Sequence, residues 1–202
     1  MDKQPHDPGH LIWHSSQVSP ADREALLKQS PQTLWLTGLS GSGKSTLAFA
    51  LERTLLDLGR LAYALDGDNV RQGLCRDLGF SPADRSENIR RIAEVAQLMN
   101  DAGLIVIASF ISPYREDREI ARSIIGRHRF VEVFVSTPLE TCVSRDPKGL
   151  YRKAKAGELK DFTGVSSPYE EPLDADLCLD TSELSVSECL EQILPMISRA
   201  TR

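Results

Sequence analysis

Residues 38–45 read Gly-Leu-Ser-Gly-Ser-Gly-Lys-Ser, with glycines, an ammonium and a hydroxyl at the spacing G-x-x-x-x-G-K-[ST]. A run of this kind can wrap a phosphate. Glycine permits backbone conformations closed to other residues, so successive N–H groups can turn inward on one anion while the helix that follows adds its positive end. Gly38, Ser40, Gly41, Ser42, Gly43, Lys44, Ser45 and Thr46 are the residues expected to form this cradle. Lys44 is placed to reach the β- and γ-phosphates and Ser45 to hold the bridging magnesium ion, so the implied ligand is a nucleoside triphosphate. The competing reading is a Gly/Ser-rich connector that matches by chance. Context argues against it: an apolar run, Thr33 to Thr37, precedes the loop, and Leu47, Leu51, Leu55 and Leu58 follow on one helical face that Gly59 can end.

A second cluster lies at Asp66-Gly67-Asp68-Asn69, directly after the apolar run Leu61 to Leu65. Parallel sheets bind ligands beyond the carboxyl ends of their strands. Two carboxylates at that edge, opposite Lys44, suit a magnesium site and an acceptor hydroxyl that must lose a proton. An ordinary Asp-Gly turn is the alternative. The run Leu104 to Ala108 ends in Ser109 rather than an acid, which leaves the metal-side work to Asp66 and Asp68. Positive charge gathers at Arg71, Arg76, Arg85, Arg90 and Arg91, then at Arg115 and Arg118. Guanidinium forks pair with phosphate or sulfate oxygens, so this set implies an anionic second substrate. Arg91 and Arg118 are expected to be plain helix-face charges.

These residues need a frame. Helical and extended patterns alternate along the 202 residues, which indicates one α/β domain: a five-stranded parallel sheet flanked by helices. Strands are expected at 33–37, 61–65, 104–108, 130–135 and 177–180. Ser19-Pro20, Ser81-Pro82, Ser112-Pro113 and Thr137-Pro138 each set a capping hydroxyl before a proline, with Thr137 and Glu140 forming a capping box and Ser185 with Glu188 another. Ile89, Ile92, Ala96 and Met99 form one apolar stripe and Val186, Leu190, Ile193 and Ile197 a second, whose last turn Pro195 distorts. Residues 1–30 are read as an extension, disordered over 1–10 and laid on the domain at 11–14, with the main domain spanning 31–202. Within it, residues 146–172 run long and polar apart from Tyr151 and Phe162. Tyr151 and Phe162 favour a lid over the site, with a disordered surface insertion as the alternative. The net charge of −5 offers no electrostatic reason for a nucleic-acid or membrane partner. Cys75, Cys142, Cys178 and Cys189 show no paired or metal-ligand spacing, no apolar run matches a bilayer span and no secretory leader is visible, so a cytoplasmic location is expected.

With these pieces placed, the chain resembles the adenylyl-sulfate kinase family. The matching blocks are Leu-Thr-Gly-Leu-Ser-Gly-Ser-Gly-Lys-Ser-Thr at 36–46, Asp-Gly-Asp-Asn-Val-Arg at 66–71, Asp-Leu-Gly-Phe-Ser from 77 and Glu-Asn-Ile-Arg-Arg to 91. Further blocks are Ser-Phe-Ile-Ser-Pro-Tyr-Arg at 109–115, Arg-Asp-Pro-Lys-Gly-Leu-Tyr at 145–151 and Phe-Thr-Gly at 162–164. The resemblance implies the fold of P-loop nucleoside triphosphate hydrolases. It also implies a transferase of sulfate assimilation that moves the γ-phosphoryl of ATP, with Mg2+, to the 3′-hydroxyl of adenosine 5′-phosphosulfate. By the same resemblance Asp68 is the metal-associated acid beside the acceptor hydroxyl and Asp66 supports it. Phe80 and Phe162 sandwich the acceptor's adenine, while Arg71, Arg85, Asn88, Ile111, Ser112 and Lys148 contact the acceptor, and Arg145 lies against the adenine of ATP. In some family members the serine matching Ser112 carries a phosphate. Here a helix cap with backbone contact to substrate explains it as well. A homodimer is common among relatives. The alternative function is a non-catalytic nucleotide-sensing module of the same fold, which need not keep Lys44, Ser45 and Asp68 together.

Overall fold

The computed structural model describes residue 12 and residues 14–197. The expectations for residues 1–11 and 13 lie outside the described residues. Five strands form, β1 (Thr33–Thr37), β2 (Ala62–Asp66), β3 (Ile105–Ser109), β4 (Phe130–Val135) and β5 (Leu177–Leu179). They pair in parallel in the order β2-β3-β1-β4-β5. The helices are α1 (Pro20–Leu27), α2 (Lys44–Asp57), α3 (Gly67–Arg71), α4 (Pro82–Asp101), α5 (Arg115–Ile125), α6 (Leu139–Arg145), α7 (Leu150–Lys155) and α8 (Val186–Ile193). A parallel sheet needs both faces covered, and the alternation of side chains along each strand shows how. Leu34 and Leu36 of β1 join Leu47, Leu51 and Leu55 of α2 and Ile193 of α8 in one core. Trp35 points the other way, toward Ile89, Ile92 and Ala96 of α4 and Ala121 and Ile125 of α5. The Trp35 ring stacks on Phe110 and Phe130, with centroids 5.8 and 5.7 Å away. From β1 the chain crosses to β2 on one side of the sheet, and from β4 to β5 on the other, so a crevice opens at the carboxyl end of β1.

Helix starts divide into two groups. Ser19, Ser81 and Ser185 cap α1, α4 and α8 as their sequences predict, Ser19 and Ser185 with full capping boxes. The other two hydroxyl-proline pairs do not cap. Ser112 sits at φ 38, α5 begins three residues later, and the Ser112 hydroxyl accepts the indole N–H of Trp35 at 3.1 Å. Thr137 donates to the carbonyl of Ser42 and pairs with the hydroxyl of Thr181 at 2.8 Å, so no capping box forms with Glu140. In both cases a buried partner from a distant strand or loop satisfies the hydroxyl that local sequence assigned to a helix end. Leu58, expected on the buried face of α2, lies beyond its last turn and is exposed. Pro195 ends α8 in a short 3-10 turn, Leu194–Met196, as expected. Gln29, ahead of the expected domain start, is buried and donates to the carbonyls of Leu61 and Gly103.

Arg118 corrects another expectation. Rather than a solvated charge, it is a buried hub: Nε donates to Glu132 at 2.7 Å, and the two terminal nitrogens donate to the carbonyls of Ser112 and Glu170, each at 2.7 Å. Glu132 lies on the side of β4 that faces α5, and Arg122 completes its pairing at 2.9 Å. Arg91 does lie on a helix face, paired with Asp77 and Glu87. Removing one partner of a buried ion pair strands the other in low dielectric, whereas surface pairs contribute little. Arg118→Ala is therefore expected to cost about 3–5 kcal/mol in urea unfolding, and Arg91→Ala less than about 1 kcal/mol.

Candidate active site

The phosphate loop joins β1 to α2. Gly43 precedes the helix at φ 96, a conformation that side chains resist. At Gly38 a Cβ would lie 2.5 Å from the carbonyl oxygen of Val135, so the loop can pass β4 only without a side chain there. Lys44 is buried at the start of α2; its ammonium donates to the carbonyl of Leu39 at 2.6 Å and to the Ser42 hydroxyl at 3.3 Å. Burial pulls its pKa down to about 8, against the upward pull of Cys142, Asp66 and Asp68. The charge is held in place by geometry while being poorly solvated, so an arriving anion gains from it at full strength.

Ser45, one residue along, donates to the carboxylate of Asp66 at 2.7 Å. Asp66 ends β2 opposite Ser109 in the β3 ladder, and the Ser109 hydroxyl reaches the same carboxylate oxygen at 3.4 Å. Its other oxygen accepts the backbone N–H of Asp68 and so starts α3. The residues alone left the metal side to Asp66 and Asp68 together, and the resemblance named Asp68; in the structure the Ser45 hydroxyl contacts Asp66. Asp66 is buried, whereas Asp68 is exposed and ion-paired to Lys148. Strand ends fix the position of Asp66, and the turn that follows carries Asp68 outward. Ser45 and Asp66 are a hard-oxygen pair of the kind that holds Mg2+. No cluster of three or more acidic, His or Cys side chains gathers among the described residues, so phosphate oxygens and water must complete any such shell, as that ion prefers.

Two cavities meet on this floor, sharing Ser40, Gly41, Lys44, Ser45, Asp66, Asp68 and Lys148. The first, about 460 Å³, is lined by every residue expected on the acceptor side: Arg71, Phe80, Arg85, Asn88, Ile111, Ser112, Lys148 and Phe162. Phe80 is 60% exposed, and the guanidinium of Arg71 lies 4.5 Å from its ring centre. Burial lowers the pKa of Arg71 and Arg85. The amide nitrogen of Asn88 is buried with no hydrogen-bond partner, a cost that a ligand acceptor would relieve. The second cavity, about 720 Å³, takes in Gly43, Thr46 and Arg145 together with Thr181, Leu184 and Val186. Gly38 and Ser42 line neither cavity; they shape the loop from behind. Of the seven arginines singled out by sequence, only Arg71 and Arg85 line the first cavity. Arg90 pairs with Glu87 and Glu94 on the outer face of α4, and Arg115 donates to the carbonyl of Glu171.

Sequence reasoning missed Thr181, which donates to the Ser42 carbonyl at 2.9 Å and accepts from Arg145 at 2.7 Å, tying the loop to the second cavity. It missed the support given by Ser109, and by Tyr169, whose hydroxyl meets that of Thr37 at 2.9 Å. A lone Thr after a strand carries no spacing signal, so only the fold reveals it. Ile111 and Ser112 are pinned through their carbonyls by Thr37 and Arg118. That support holds Ser112 in a backbone conformation that costs on the order of 1–3 kcal/mol.

Residues 30–180 match the model of the family described as adenylylsulphate kinase. The adenylyl-sulfate kinase of Shewanella sp. (strain MR-7) is 60% identical over 174 residues, which is 86% of this chain and 85% of the relative. That of Vibrio cholerae is 53% identical over 97% of this chain and 91% of its own length. Among solved structures, the Mycobacterium tuberculosis APS kinase in complex with AMPPNP and APS superposes with a TM-score of 0.80 at 49% identity, covering 83% of this chain and 98% of that one. An aligned family profile, relatives above half identity over nearly their whole length, and a shared fold agree: the chain belongs to the adenylylsulphate kinase family.

Proposed function

We propose that the chain transfers the γ-phosphoryl group of ATP to the 3′-hydroxyl of adenosine 5′-phosphosulfate, giving 3′-phosphoadenosine 5′-phosphosulfate and ADP. One observation carries this reading: two cavities share a floor made of Lys44, Ser45, Asp66, Asp68 and Lys148. Phosphoryl transfer is mostly positioning and charge neutralisation, and such a floor brings a donor and an acceptor together without moving either. ATP occupies the cavity with Arg145 and Thr181, its phosphates in the glycine loop. The acceptor occupies the cavity with Phe80 and Phe162, its base between the rings and its phosphosulfate on Arg71 and Arg85. The exposed Phe80 ring and the unpartnered Asn88 amide support a flat, polar ligand there. The solved relative bound to AMPPNP and APS supports the same pair of ligands.

In this reading the acceptor's 3′-oxygen attacks the γ-phosphorus, the bond to the β-phosphate oxygen breaks, and ADP leaves with the electron pair. Asp68 accepts the hydroxyl proton once Lys148 turns from it toward the transferring group. Lys44 meets the charge on the β- and γ-oxygens. Ser45 and Asp66 would hold Mg2+, which when bound would supply charge that neutralises the phosphate oxygens. Segment 146–172 acts as the lid, and transfer is direct, since the Ser112 hydroxyl is buried and already taken by Trp35.

ADP release followed with and without adenosine 5′-phosphosulfate tests the function: rapid release only with the acceptor is expected, and folded protein that releases none leaves the nucleotide-sensing alternative. Lys44→Ala and Asp66→Asn are each expected to lower kcat by about 10²–10³-fold or more, because both act on charge that develops in the transition state; turnover near wild type in either would reassign the floor. Lys44 also separates activity from stability. Its folded pKa lies below its unfolded value, so burying the ammonium costs most below pH 8, and the cost fades as pH rises from 8 toward 10.5. Lys44→Met is expected to be inactive yet more stable by about 1–3 kcal/mol at pH 7, with the gain shrinking in unfolding curves taken toward pH 10.

A further inference from the structure

Tyr151 is among the largest fully buried side chains, yet it sits in a stretch of otherwise polar character. It lies in the first turn of α7, where the Asp146 carboxylate accepts the backbone N–H of both Tyr151 and Arg152 at 3.1 Å. Its hydroxyl donates to the carbonyl of Ser40 at 2.9 Å, in the phosphate loop on the floor common to both cavities. The other end of the contact is Phe162, whose ring stands perpendicular to that of Tyr151 with centroids 5.1 Å apart. Burial raises the Tyr151 pKa, so the hydroxyl remains a donor. One rigid side chain thus spans from the loop that holds phosphate to the ring that faces the acceptor cavity.

The backbone around Phe162 is fixed separately. Arg85 donates to the carbonyl of Asp161 at 2.6 Å and to the Thr163 hydroxyl at 3.2 Å, one residue on either side of Phe162. The Phe162 carbonyl closes its own turn by accepting from Val165, Ser166 and Ser167. What these bonds leave free is the rotation of the ring, and Tyr151 is its aromatic neighbour among the described residues.

We infer that Tyr151 is a positioning residue: anchored on the Ser40 carbonyl, it sets the Phe162 ring at the angle and depth from which that ring stacks on the acceptor's base. The inference rests on the proposed reading of the first cavity as the acceptor site. Removing the hydroxyl while keeping the ring frees the anchor without opening a cavity, so Tyr151→Phe keeps the packing. It loses one neutral hydrogen bond, which corresponds to about a fivefold effect.

The test is a double-mutant cycle in steady-state kinetics on the full chain, with Tyr151→Phe, Phe162→Ala and the pair, varying ATP and adenosine 5′-phosphosulfate in turn. Tyr151→Phe is expected to raise the acceptor KM about fivefold, with kcat and the ATP KM changed less than about twofold. Phe162→Ala is expected to raise the acceptor KM further, and adding Tyr151→Phe to it to have no added effect, because residues that act through one another are not additive. If Tyr151→Phe raises the acceptor KM by the same factor with or without Phe162, or if its effect falls on ATP instead, the positioning role is overturned while the function stands. If Phe162→Ala itself leaves the acceptor KM unchanged, the reading of the cavity fails first.

Discussion

The hydrogen bond from the Ser45 hydroxyl to the Asp66 carboxylate joins two elements that are remote in sequence, the first turn of α2 and the end of β2. Everything else in the site is arranged around that junction. The glycine loop can turn into α2 only if β1 and β4 stand close behind it, which the missing side chain at Gly38 allows. Asp66 is held at its height because its ladder partner on β3 is a serine that can share its charge rather than a second acid that would repel it. The sheet therefore acts as a jig, setting carboxylate, hydroxyl and ammonium with no loop flexibility between them.

Much of this was legible in the residues themselves. The loop spacing, the five apolar runs and the serine caps at 19, 81 and 185 are local signals, and local signals survive folding when nothing competes with them. Strand limits in the sequence reading differed from the structure by a single residue at β2, β3 and β5. Three of the failures share one reason. Ser112 and Thr137 look like helix caps until Trp35, Ser42 and Thr181 claim their hydroxyls. Arg118 looks like a surface charge until Glu132, on the next element, turns out to face it inside the protein. A sequence shows which groups need partners, but it does not show which distant group supplies them.

The site residues follow the same division. All eight expected on the acceptor side line one cavity, because the blocks that carried the resemblance lie at strand ends, around the start of α4 and in residues 146–172, where the fold converges. The wider arginine set was over-read. Charge density along a chain does not distinguish the face of α4 that looks into the cavity, with Arg85 and Asn88, from the face that pairs with Glu87 and Glu94 in solvent. Asp66 and Asp68 differ in setting for a comparable reason: one residue of separation carries a side chain from the protected end of a strand to the open start of a helix.

The common floor of the two cavities has a practical consequence for inhibition. With one nucleotide in each chamber, as proposed, a single molecule with a purine at each end of a short phosphate chain would address both at once. Tethering makes its second contact intramolecular, at an effective concentration of order millimolar. Such a molecule needs no new surface to grip, only a linker whose length matches the span across Lys44 and Asp66.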